Sequence, residues 1–244
     1  ASADAKAVVE YTWGKIWNAK AYNACSGMPR FGHAGLLDEQ QVRLIEMPSS
    51  TGTLRALAVG QLEAANLTLD EFISARADGM DLRVLAVLDV SAGADAVFSR
   101  EPMELAALAG KRVAVEDGAV GGIVLAALLD AARLHPNQIR KQTTTQANTA
   151  EDFIAGKADV VVTAEPWASQ IEAAGGHRLF DSTRMPGRIV DVLVAHQSAI
   201  ERQPEALRGL VQAHFAGLAH LRAQPEDASR RMAARLQLAP AKVP

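Results

Sequence analysis

Short apolar runs alternate with segments of helical period along most of the chain. The pattern predicts strands over Ala7–Thr12 and Val42–Met47, then a helix over Ser49–Gly60 that Gly60 closes. Leu82–Val90 is almost continuously apolar, which predicts a central parallel strand covered on both faces. Further strands are expected at Asp95–Ser99, Lys111–Glu116, Ala158–Thr163 and Arg188–Ala195. Between them, Val120–Leu134 and Glu165–Ala174 read as helices. Beyond Ala195 the pattern is helical only. Pro204 opens a helix with Leu207, Leu210, Val211, His214, Phe215, Leu218 and Leu221 on one stripe, and His214 is expected as a packed core histidine. Pro225 opens another helix, with Glu226 and Asp227 in the first turn, where the helix dipole favours acids.

Alternating strands and helices point to an α/β chain of βαβ units. No repeat or low-complexity linker marks a boundary, which fits two lobes joined by strands. The 244 residues are 49% hydrophobic and 22% charged, an ordinary globular balance. The net charge is −3 and no Lys/Arg run exceeds two residues, so the basic stripe of a nucleic-acid binder is missing. Cys25 is the single cysteine, which excludes an internal disulfide and a Cys-pair zinc site; it is expected as a small, largely buried residue. No apolar run reaches the roughly 18–20 residues that span a membrane as a helix. The opening Ala1-Ser2-Ala3-Asp4-Ala5 suits a start left by cleavage at small residues, but does not fix a location.

Signals for catalysis are missing too. There is no G-x-S-x-G, H-E-x-x-H, Walker A or dinucleotide fingerprint, and the six histidines have no ligand spacing. No catalytic residue, metal or cofactor is therefore expected.

Three segments carry a family resemblance. Ser49–Ala65 pairs a helix ending in Gly60 with the strand-like Glu63-Ala64-Ala65. Leu108-Ala-Gly-Lys-Arg-Val-Ala-Val-Glu116 and Phe153-Ile-Ala-Gly-Lys-Ala-Asp-Val-Val-Val-Thr-Ala-Glu-Pro-Trp167 follow in order. Together they resemble the nitrate, sulfonate, taurine and thiamine-precursor binding proteins of ABC importers, the NMT1-like family, over roughly residues 36–240. The resemblance implies a two-lobed type II periplasmic-binding-protein fold with two crossover strands. Lobe one would hold residues 1–92 plus 192–244 and lobe two residues 93–191. A monomer outside the cytoplasm would capture a small-molecule solute and pass it to a membrane permease. Two alternatives share the fold: an enzyme like the thiamine-pyrimidine synthase, whose Cys-rich motif is missing here, and a free-standing sensing domain.

The resemblance also implies where ligand is held, between the lobes at the carboxyl ends of strands. Trp13 stands where the family has a W-x-G-Y element, though Trp13-Gly-Lys-Ile-Trp17 lacks the Tyr. Thr68, Leu69 and Asp70 follow a short strand over Glu63–Asn66, and Thr68 with Glu71 also reads as a capping box. Asp89 and Ser91 stand where the chain would leave lobe one. Ala119, Val120 and Gly121 lie in a strand–helix turn whose glycines let a backbone approach ligand. The family has Ser or Thr there, which Ala119 and Val120 replace. Glu165 precedes a helix, and Asp191 is an acid inside an apolar strand, where a lone charge is costly. Asp70, Asp89, Glu116, Asp117, Glu165 and Asp191 would make the cleft acidic, with Lys15 and Arg188 as the nearest counter-charges. That favours a ligand with hydrogen-bond donors or a positive group, unless the acids cap helices or pair with arginines.

Overall fold

The computed structural model describes residues 45, 47, 49–228 and 230. Ala7–Thr12, Trp13, Lys15, Cys25 and most of Val42–Met47 lie outside the described residues.

The first sheet has the order β1-β8-β2, from Ala64–Thr68, Val190–His196 and Leu82–Val90. Both of its ladders are antiparallel. Leu82–Val90 is thus a strand, but it runs antiparallel to its described neighbour, with Val84, Val87 and Val90 exposed. An apolar run signals a strand but neither its direction nor cover on both faces, so the expectation of a parallel strand covered on both faces is not met. Helix α1 (Ser50–Ala58) and α2 (Leu69–Ala77) pack on one face. There Leu57, Ala65, Leu67, Ala75, Leu82, Val192 and Val194 form a core.

The second sheet has the order β5-β4-β6-β3-β7. Its strands are β3 (Asp95–Ser99), β4 (Arg112–Glu116), β5 (Arg140–Thr144), β6 (Val160–Ala164) and β7 (His177–Asp181). β4 runs parallel to β5 and β6, while β3 is antiparallel to β6 and β7. Side chains alternate across it with period two. Val113, Val115, Val160 and Val162 join α3 (Ala119–Ala132) in one core. Ala114 and Val161 face the opposite core, beside α4 (Thr149–Ile154) and α5 (Trp167–Ala173). Apolar residues on both faces follow from helices on both faces.

Two passages of chain join the sheets, residues 91–94 and 182–189. They are tied together: Ser91 N–H donates to Ile189 O at 2.9 Å, and Ser91 Oγ lies 2.8 Å from Ser182 Oγ. Gly93 N–H donates to Ser182 Oγ at 2.7 Å. After β8, α6 (Gln197–Arg202) and α7 (Pro204–Ala223) return to the first sheet, where Leu210 and Ala213 pack on Leu88 and Leu193. His214 is buried on that stripe, and burial holds its pKa below the usual histidine value.

Candidate functional site

The site forms where strand ends of the second sheet meet the first turns of α1 and α2. β4 and β6 are parallel, so Glu116 and Thr163-Ala164 lie at the same end of the sheet. β3 runs the other way, which brings its first residue, Asp95, into register with Ala164. A small cavity of ≈ 20 Å³ opens there. Its polar lining is Ser50 and Glu71 from the helices of the first sheet, with Asp95, Glu116, Gln146 and Thr163 from the second. Val120, Val124 and Val162 give it an apolar side.

Each polar group is placed by local structure. Ser49 caps α1, its side chain accepting from Gly52 N–H at 3.0 Å, and so sets Ser50 at the first helical position. Glu71 is 1% exposed and its Oε2 accepts from Thr68 N–H at 3.0 Å, the carboxylate half of a capping box. Asp95, 2% exposed, accepts the Ser91 hydroxyl. Glu116 Oε2 accepts from Gln146 N–H at 2.8 Å. Burial raises the Glu116 carboxyl above the usual Glu range; the Gln146 N–H opposes this, the Glu71 charge adds to it, and the Ser50 N–H opposes it. Glu116 is therefore in contact with groups from both sheets. Thr163 Oγ1 is held 2.7 Å from Thr149 Oγ1.

A model of the NMT1-like family matches residues 31–237. The chain belongs to the NMT1-like family. Solved structures agree on the fold of this NMT1-like chain. The alkanesulfonate-binding protein SsuA of Xanthomonas axonopodis pv. citri, bound to MOPS, aligns with TM-score 0.77 at 18% identity, over 96% of this chain and 79% of that one. The periplasmic aliphatic sulphonate binding protein SsuA of Escherichia coli aligns at 0.73 with 21% identity, over 95% and 78%. The desulfurization enzyme DszB aligns at 0.63 with 16% identity, over 96% and 80%. Such identities establish the two-lobed type II periplasmic-binding-protein fold and no activity. No curated protein matches.

The positions singled out in the NMT1-like sequence do not all converge on this cavity. Val120 and Gly121 line it, and Ala119 opens the same helix. A Cβ on Gly121 would stand 2.5 Å from Glu116 O, so close packing of α3 on β4 by itself requires this glycine. Thr68, Leu69 and Asp70 form the β1–α2 junction beside Glu71, where Thr68 and Glu71 make the capping box. Asp191 is 1% exposed and in register with Thr68 on one side and Asp89 on the other. Ser91 braces the passage between the sheets. Glu165 Oε2 accepts from Ser169 N–H at 3.1 Å, serving the first turn of α5, which begins at Trp167 after a cis Glu165–Pro166 bond. Asp117 pairs with Lys141 and Thr143 at the surface. Ser50, Asp95, Gln146 and Thr163 escaped sequence reading because each is a lone polar residue near an element end. Glu71 carried a complete local explanation as a cap.

Proposed function

We propose that this NMT1-like chain is the solute-binding component of an ABC importer, holding a small polar organic molecule between lobes of residues 1–92 plus 192–244 and 93–191. The observation that carries this reading is the cavity between the two sheets, lined from both by groups at strand ends and helix starts. Ligand contacts would come from the cavity wall and from Trp13, Thr68, Leu69, Asp70, Asp89, Ser91, Ala119, Val120, Gly121, Glu165 and Asp191. Two similarly folded proteins are named as binding alkanesulfonate and aliphatic sulphonate, and a third, from Synechocystis PCC 6803, as a periplasmic nitrate-binding protein. They support a binding role outside the cytoplasm, with handover to a membrane permease.

A thermal-shift screen of metabolite-sized solutes tests the reading. A cognate solute at 100 times its dissociation constant should add about 2.7 kcal/mol of stability. A broad screen with no stabilising solute would remove the proposal.

A further inference from the structure

A groove of ≈ 380 Å³ runs between the second half of α3 and residues 184–188 of the passage that returns to the first sheet. It shares no lining residue with the cavity between the sheets. Its volume falls in the range of small-molecule sites, about 300–1,000 Å³. Ala127, Phe180 and Met185 line it and belong to the buried core of the second sheet, so its floor is apolar. Ala131 and Pro186 add exposed apolar wall. The charged lining is Arg184, Arg188 and Asp130, which leaves one positive charge in excess. Two turns set the arginines there. Met185 N–H donates to Ser182 O at 3.1 Å and Arg188 N–H to Met185 O at 3.2 Å, folding the chain around the buried Met185. The Arg184 guanidinium carbon lies 5.0 Å from the Phe180 ring centre. Stacking occupies the face of a guanidinium and leaves the N–H donors at its edge free. Arg112 and Arg178 spend such donors on Asp159, Glu172 and Asp181, whereas no carboxylate among the described residues pairs with Arg184 or Arg188. An unpaired arginine in open water is ordinary; two at the rim of a concave apolar floor, one of them stacked in place, make a site for an anion with an apolar body.

We infer that this groove is a second binding site, separate from the cavity between the sheets, for a small monocarboxylate with an apolar body. The carboxylate accepts from the guanidinium groups of Arg184 and Arg188, and the body fills the space lined by Ala127, Ala131, Met185 and Pro186. Acetate would leave that space empty, and Asp130 disfavours a second negative charge on the ligand. The site is built from the second sheet, its helix α3 and the passage beside them, so it stands whatever occupies the cavity.

Calorimetry on the full chain would use three probes: phenylacetate, its uncharged analogue phenylacetamide, and acetate. Wild type should bind phenylacetate at least about 10-fold more tightly than either of the others, the least that a hydrogen bond to a charged group contributes. Arg184→Gln and Arg188→Gln should each weaken phenylacetate by about 10- to 100-fold. Ala131→Glu sets a carboxylate in the exposed wall of the groove and should abolish binding. Thermal melts would verify that the variants fold. Should Arg184→Gln fail to fold for want of its contact with Phe180, the exposed positions Arg188 and Ala131 carry the test. Absence of phenylacetate binding overturns the inference, and so does phenylacetamide or acetate binding as tightly as phenylacetate. Phenylacetate binding that Arg188→Gln and Ala131→Glu leave intact places the anion elsewhere and overturns it as well.

Discussion

Glu116 and Asp159 show how one residue type of charge can act on stability in opposite senses. Glu116 is raised by burial, so its native form holds a proton more tightly than the unfolded chain does. Its ionisation therefore destabilises the fold at neutral pH, and the penalty fades as pH falls through the raised value. Glu116→Gln should raise the melting temperature at pH 7 by about 2–4 °C, the response of a chain this size to roughly 1 kcal/mol. The gain should vanish toward pH 4. A variant that melts below wild type at pH 7 would show that the ionised carboxylate stabilises the fold. Asp159 runs the other way. Hydrogen bonds from the Arg112 side chain and backbone lower it to about 2, so its contribution is present above the ordinary value of 3.8 and lost as pH falls toward 2. Parallel acid titrations of Glu116→Gln and Asp159→Asn should diverge from wild type in opposite directions at neutral pH. Sequence alone placed Glu116 among the cleft acids but could not separate it from Asp117, its neighbour, which turns outward to Lys141. Which way adjacent strand-end residues point is decided by pleat and register, not by residue type.

Among the elements, those with strong apolar periodicity were legible: Asp95–Ser99, the β4 and β6 runs, α3 and the stripe of α7 all stand where the pattern put them. β5 and β7 were not legible. Both lie at edges of the second sheet: Arg140–Thr144 is polar and mostly exposed, and His177–Asp181 has only the adjacent Leu179 and Phe180 as apolar residues, so neither carries a continuous apolar run or a clean alternation. The join of β4 to α3 offers a sharp comparison. Gly121 and Gly122 are adjacent and both helical, yet a Cβ at 121 would meet Glu116 O at 2.5 Å and Val115 Cγ2 at 2.9 Å, while one at 122 meets nothing within 4 Å. Gly121→Ala should cost about 1–3 kcal/mol by forcing α3 away from β4. Gly122→Ala should gain up to about 1 kcal/mol through helix propensity. Urea denaturation of the pair measures both, and equal effects would refute this account of the turn.

At the scale of the whole molecule, the family resemblance was legible because three ordered segments span both sheets, whereas the cavity was not, since its walls come from residues as far apart as Ser50 and Thr163. A fold shared by binding proteins and a desulfurization enzyme leaves open a contrast that turnover assays settle. A solute incubated with the purified chain and recovered by mass spectrometry should return unchanged; accumulation of product above background would point to catalysis. The two passages between the sheets have a mechanical meaning of their own. A single tether leaves two bodies free to swivel in every direction. Here residues 91–94 and 182–189 run side by side and are stitched through Ser91, Gly93, Ser182 and Ile189. Paired straps of this kind act like the leaves of a door hinge. They resist twist and sideways slip more than a single tether does, and so help to hold the register in which Ser50 and Glu71 face Glu116.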